Sequence, residues 1–347
     1  MNQPFKFLGG RRWLRDPSLA YPLPVDLQEL HRQSLRLVLL TRIHGAPFCN
    51  TVFGEDLPPP KKVLEIACGT GLWSSACHDY FKHLGHKNVS FTGLDIAPLA
   101  PDLRQSGVNW RFVQHDIRKE PYPFPDGEFD FIFIKDAGFC TQNSNGQGST
   151  LSEAARLLKS NGVVEIWESD HIFRTLLPNS QAPPGTTEDE LDQAEACGVY
   201  IMSPSTAFAA SQNKYLIDYN AWVEKALDKR GLVASPCGLV MWAFRMEPDR
   251  FLEVGLRRLA VPFGPIRWEQ AAGKRALTPN QASIRRAALL SSVQFIESME
   301  TVLKTESGKR QDEWDRWWSG MMNDLLEQGG AFNGECLEVG AWWAQRA

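Results

Sequence analysis

In the middle of the chain, short apolar runs alternate with amphipathic ones. Val63–Ala67, Ser90–Asp95, Arg111–Val113, Phe129–Ile134 and Gly162–Trp167 read as strands, with helices after the first and before the fifth. This alternation predicts an open, doubly wound α/β domain with a mostly parallel sheet. The preceding sixty residues form a leader of a different kind. Asp26 followed by Glu29 predicts a capping-box start for a helix running to about Ile43, and Pro58–Pro60 stop the chain before the first strand. Beyond Trp167 the segment Glu188–Arg230 reads as mostly helical, broken near Pro204, and carries Tyr200, Phe208, Tyr215, Tyr219 and Trp222. It is expected to be an insertion or lid. Phe251–Val261 and Cys336–Trp343, separated by helices near Gln281–Lys304 and Glu313–Gln328, would complete a sheet of seven strands. The expected organisation is a helical leader over residues 1–60 and one domain over 61–347, with a helical insertion at about 175–232.

The sharpest local signal is V-L-E-I-A-C-G-T-G at Val63–Gly71, where a buried-strand pattern breaks into a Gly-x-Gly turn and then a helix over Leu72–Leu84. Such a turn brings the backbone close to a nucleoside-bearing cofactor. Asp95 ends the second strand, where a carboxylate can accept hydrogen bonds from both hydroxyls of a ribose, and Asp116 ends the third, near where an adenine amine would lie. The third glycine of a G-x-G-x-x-G loop is missing, because position 74 is Ser74. A pyrophosphate benefits from that glycine, whereas S-adenosylmethionine carries no phosphate. Trp73, one residue into the helix, is expected in the core, and Trp314, Trp317 and Trp318 on a helix face buried against the sheet.

Composition narrows the picture further. Hydrophobic residues make up 43%, charged residues 22%, and the net charge is −4, so no basic field for nucleic acid is expected. Apolar runs such as Leu35–Leu40, interrupted by Arg36, fall short of a membrane span, and the amino-terminal segment shows no signal pattern. Seven scattered cysteines without a C-x-x-C pair point to reduced thiols and no metal. The expected location is cytoplasmic or nuclear.

Taken in order and spacing, E-I-A-C-G-T-G, G-L-D-I-A-P, V-Q-H-D-I, F-P-D-G-E-F-D-F-I and E-A-A-R-L-L-K-S-N-G-V-V-E-I resemble the successive motifs of class I S-adenosylmethionine-dependent methyltransferases over Lys61–Glu168. Y-P-L-P-x-D-x-x-E-x-x-R at Tyr21–Arg32 and V-P-F-G at Val261–Gly264 are similar to the fungal LaeA-like, secondary-metabolism group. The resemblance implies a Rossmann-like fold and S-adenosylmethionine as cofactor. It implies that Glu65, Ala67, Gly69 and Gly71 frame the methionine moiety, Asp95 with the adjacent Ile96 the ribose, and Asp116 with Ile117 the adenine. Cys68 and Ala67 depart from the usual glycine there and would narrow the pocket. Asp136, which follows Lys135 after the fourth strand, and His171, beyond the fifth, are the candidate catalytic groups. Asp116 also fits a turn-capping aspartate, Asp136 a solvated carboxylate and His171 a loop histidine. The expected reaction is methyl transfer to a small organic acceptor, with protein partners or a homodimer open. The rival is a LaeA-like regulatory subunit that binds the cofactor and acts through partner proteins in a nuclear complex.

Overall fold

A computed structural model describes residues 4–53, 57–140, 143–178, 181–252, 254–271, 273 and 276–347, with the backbone alone for 143–148. Small parts of the expected leader (1–3 and 54–56) and insertion (179–180), and Glu253 within the expected sixth strand, lie outside the described residues. The leader opens with a hairpin, β1 (Phe5–Leu8) and β2 (Arg11–Leu14), before helix α1 (Leu27–His44). It is therefore not purely helical. The domain follows as β3 (Lys62–Ile66), α2 (Leu72–His83), β4 (Ser90–Asp95), β5 (Asn109–Gln114), β6 (Phe129–Lys135), α3 (Asn143–Leu157) and β7 (Leu158–Ser169). Then come β8 (Arg174–Leu176), α4 (Glu188–Cys197), β9 (Tyr200–Ile201), β10 (Phe208–Ala210), α5 (Lys214–Asp228) and α6 (Cys237–Arg245). The chain ends with β11 (Gly255–Pro262), α7 (Arg267–Ala271), α8 (Pro279–Ser298), α9 (Glu300–Ser307), α10 (Gln311–Glu327) and β12 (Glu335–Gln345).

Strands β5, β4, β3, β6 and β7 run parallel in that spatial order; β12 joins β7 antiparallel, and β11 joins β12. Those are the seven expected strands. The sheet has ten, because β8, β9 and β10, short segments of the region expected to be helical, add to its far edge. Tyr200 and Phe208 therefore lie in strands. Alternation along each strand divides the core into two faces. Val63, Phe131, Phe133 and Val163 point to one, beneath α1, α2 and α8, while Leu64, Ile132, Ile134 and Val164 point to the other, beneath α3 and α6. Trp73 stacks on Phe133 at 3.9 Å between centroids, and its Nε1 donates to the Pro47 carbonyl.

Helix α1 begins as expected at Asp26, whose side chain accepts from the Glu29 amide. The second half of the expected capping box is absent. Glu29 is fully buried, and its carboxylate binds Arg32, Gln33 and Ser298 instead, joining α1 to α8. The end of the leader is tied down by Glu165 of β7, which accepts from the Cys49 and Asn50 amides at 2.6 and 3.0 Å.

Candidate functional site

From β3 the order of the parallel strands reverses, with β4 and β5 on one side and β6 and β7 on the other, so the loops leaving β3 and β6 diverge and open a crevice. Two residues other than glycine hold left-handed backbone there: Ala67 at φ 56° and Asp136 at φ 52°. Such conformations survive where neighbours over-determine them, and here the Cys68 amide donates to Leu94 O and the Asp136 amide to Trp167 O. Gly69 and Gly71 are also left-handed, at φ 51° and 68°. A Cβ on Gly71 would also come within 3.0 Å of Leu103 and 3.2 Å of Trp110.

Glu65 and Gly71 do not line the cavity, contrary to expectation. Glu65 is buried beneath the turn, where one carboxylate oxygen accepts from the Ser74 hydroxyl at 2.6 Å and from the Ser74 amide at 3.2 Å. It thus caps the start of α2 from below, and burial, opposed by Ser74, pushes its carboxyl up to about 7. Asp95 accepts from the Gly69 amide at 2.8 Å and from the Ala97 amide at 3.2 Å, and burial raises its carboxyl. One carboxylate braces the turn from underneath and the other from the pocket side.

One cavity, about 1250 Å³ including its open mouth, joins Ala67, Gly69, Asp95, Ile96, Asp116 and Ile117 at one end to Asp136 and His171 at the other. Much of its remaining wall comes from the leader (Tyr21, Leu23, Arg32, Gln33, Arg36) and from α8 (Ser291, Ser292, Phe295), with Phe139, Asp170 and Phe173 beside them. No described residue of the 175–232 insertion lines it. The aromatic residues there have other partners: Tyr215 and Trp222 pack on Trp317, while Tyr219 donates from its hydroxyl to His171 O at 2.7 Å. The leader residues were legible in part, since Tyr21, Glu29 and Arg32 are the ends and middle of the Y-P-L-P-x-D-x-x-E-x-x-R motif. Phe295 had no local signal, because only the packing of α8 brings it to the cavity.

Asp116 has two neighbours in the fold, the cavity and a turn. It faces the cavity and also caps a turn, with Oδ1 accepting from the Arg118 amide and the carboxylate paired to the Arg118 guanidinium at 2.7 Å, which lowers its pKa. Arg118 reaches on to Asp16 at 3.2 Å and to Ser18 O at 2.9 Å, so the leader is fastened over this end of the cavity.

At the opposite end Asp136 binds Arg36 at 2.9 Å and Lys135 at 2.8 Å. Burial opposes its ionisation, but Arg36 and then Lys135 outweigh burial and hold the carboxyl far below the usual range. A carboxylate so strongly stabilised is a poor proton acceptor, which argues against the base role considered for it. His171 lies flat against Phe139 at 4.1 Å and near Phe295 at 5.5 Å, and burial pushes its imidazole down to about 3. It is a neutral group in an aromatic wall. Glu168 was not among the expected site residues. One of its oxygens accepts from the Gly138 amide at 2.8 Å, the other is buried without a partner among the described residues, and burial followed by Asp136 pushes it up to about 8.

The donor end fits a cofactor without phosphate. In a dinucleotide site the first amides of the helix point at pyrophosphate, whereas the Ser74 amide of α2 is occupied by a buried carboxylate and further carboxylates face the cavity. Ser74 is thus less a lost glycine than the partner of Glu65.

Residues 63–162 match the family model described as "Methyltransferase domain". Demethylmenaquinone methyltransferase of Tropheryma whipplei (strain Twist) is 28% identical over 124 residues, covering 34% of this chain and 46% of that protein. Methyltransferase pytC of Aspergillus terreus is 29% identical over 143 residues, covering 39% and 40%, and the secondary metabolism regulator laeA of Aspergillus niger is 26% identical over 117 residues, covering 33% and 28%. The chain spans less than half the length of each of these relatives. Residues 63–162 are thus similar to a methyltransferase domain, and the chain resembles the class I S-adenosylmethionine-dependent methyltransferases, with proteins of the fungal LaeA-like group among its relatives.

Proposed function

We propose that this protein transfers a methyl group from S-adenosylmethionine to a small organic acceptor, in the manner of the fungal secondary-metabolism methyltransferases. The observation that carries this reading is the single cavity running from the Gly69 turn and Asp95 to Asp136 and His171. Ala67 and Gly69 would hold the methionine moiety, Asp95 and Ile96 the ribose, and Asp116 with Ile117 the adenine. The bound cofactor supplies a methyl group made electrophilic by its sulfonium. The protein's own part is to position the acceptor, exclude water behind the leader, and surround the reacting atoms with fixed charges. A buried cavity lined by Leu23, Tyr21, Phe139 and Phe295 suits a molecule of modest size rather than a protein chain.

Calorimetry tests the donor half: S-adenosylmethionine should bind and NAD should not, and the reverse result would overturn the assignment. For the acceptor half, radiolabelled cofactor incubated with extracts should yield label in extractable small molecules. Label found in protein alone would remove the small-molecule acceptor. The similarity to laeA favours a second reading, a cofactor-binding regulatory subunit of a nuclear complex, and purification as a stable hetero-complex without turnover would select it.

A further inference from the structure

The acceptor end of the cavity holds two buried guanidinium groups, and neither Asp136 nor His171 is an effective base there. Arg32 and Arg36 are 6% and 7% exposed, and both line the cavity. Arg32 gives Nε and Nη2 to Glu29, and Arg36 gives Nε and Nη2 to Asp136 and Ser169. In each guanidinium Nη1 has no hydrogen-bond partner among the described residues. Because both side chains line the cavity, these donors favour an acceptor that brings oxygen lone pairs or negative charge. Around them stand Tyr21, Phe139, His171 and Phe295, with the Arg32 guanidinium 5.2 Å above the Phe295 ring.

Proton removal is poorly served at the same place. Both Asp136 oxygens are engaged by Arg36, and one of them also by Lys135. His171, pressed against Phe139, has little affinity for a proton. An acceptor that must lose a proton would find no competent partner in these two groups, whereas one that arrives ionised needs none.

We propose that the acceptor is an anionic oxygen acid, a carboxylate on a flat apolar body, held by Arg32 and Arg36 against the Phe139–His171–Phe295 wall. This rests on the methyltransferase reading above. The acceptor oxygen gives an electron pair to the methyl carbon while the carbon–sulfur bond pair returns to sulfur. A neutral methyl ester and a neutral thioether result, and no proton is taken up or released. Arg32 and Arg36 are positioning residues for the anion, and desolvation of the pair favours a step in which two opposite charges cancel.

Calorimetric titration of the full chain, saturated with S-adenosylhomocysteine, with 2-naphthoate and with 2-naphthamide tests this. The acid should bind about tenfold more tightly than its uncharged isostere, the scale of one charge-assisted hydrogen bond. Arg32→Gln should erase that preference while leaving the affinity for S-adenosylmethionine unchanged. Because that change leaves Glu29 without its cation, the double variant Glu29→Gln/Arg32→Gln is measured beside it, with the thermal midpoint as a check on folding. Equal binding of acid and amide by the wild-type protein would overturn the proposal. So would loss of S-adenosylmethionine binding in both variants with the acid preference intact, which would place Arg32 on the donor. Failure of wild-type protein to bind S-adenosylmethionine, with the acid preference present, would sink the methyltransferase reading and leave the anion site standing.

Discussion

Ser74 shows how one residue can carry opposite meanings in sequence and in space. As the missing glycine of a phosphate loop it argued against a dinucleotide. In the fold its hydroxyl and amide are held by Glu65, so the same position explains why that carboxylate is there. Ser74→Ala should lower stability by about 1–2 kcal/mol, the worth of a buried hydrogen bond to a charged or half-charged carboxyl, as read from chemical denaturation. Ser74→Gly, the phosphate-loop residue, should cost at least as much. Asp136 is a second such case. Its position at the end of the fourth strand was legible, but its engagement by Arg36, a hundred residues earlier in the chain, was not.

Among the elements, the leader borders the cavity and the described residues of the insertion do not. Tyr215 and Trp222 of the insertion pack against Trp317 of α10 and Tyr219 bonds His171 O, while the leader and α8 contribute to the cavity wall. Trp317→Ala should therefore destabilise the fold by about 3 kcal/mol, the usual result of emptying a buried aromatic site. Its affinity for S-adenosylmethionine should remain that of wild type in calorimetry, since Trp317 bonds Asp218 and stacks on Trp222 and Trp314, away from the cavity. The leader is held differently, through Arg118 linking Asp116 to Asp16 and Ser18. These pairs are partly exposed and contribute little to stability. Arg118→Ala should thus leave the thermal midpoint nearly unchanged yet weaken cofactor binding several-fold, because it releases the segment covering that end of the site.

For the whole molecule, buried titratable groups set the pH range of stability. His44 and His171 are pushed down to about 3 by burial from an ordinary 6.5, so the unfolded chain binds their protons first and stability falls as pH drops below about 6.5. Glu65 and Glu168 are pushed up to about 7 and 8 from 4.5, so the folded chain keeps protons that the unfolded chain has released, and stability falls as pH rises from 4.5 to those values. Each group contributes at most about 1.4 kcal/mol per pH unit between its two values. Glu165 and Glu338 shift in the same sense as Glu65, which places the maximum on the acid side of neutrality. Denaturation measured between pH 4 and 9 should show that maximum, and Glu168→Gln should flatten the decline between pH 7 and 8. A maximum above pH 8 would contradict the assignment.

The local signals in the sequence were sufficient for the seven main strands of the sheet, the turn at Val63–Gly71 and the carboxylates at strand ends, because strand periodicity, glycine turns and strand termini depend on neighbours a few residues apart. Six of the eight expected cofactor residues meet at one cavity for that reason, since the ends of parallel strands share one edge. Tertiary structure alone determined that Glu65 faces Ser74, that Arg36 neutralises Asp136, that the leader and α8 line the cavity, and that β8, β9 and β10 extend the sheet. Most of those contacts join residues far apart in the chain, and whether a carboxylate is a base, a brace or half of an ion pair depends on the charges and burial that such contacts create.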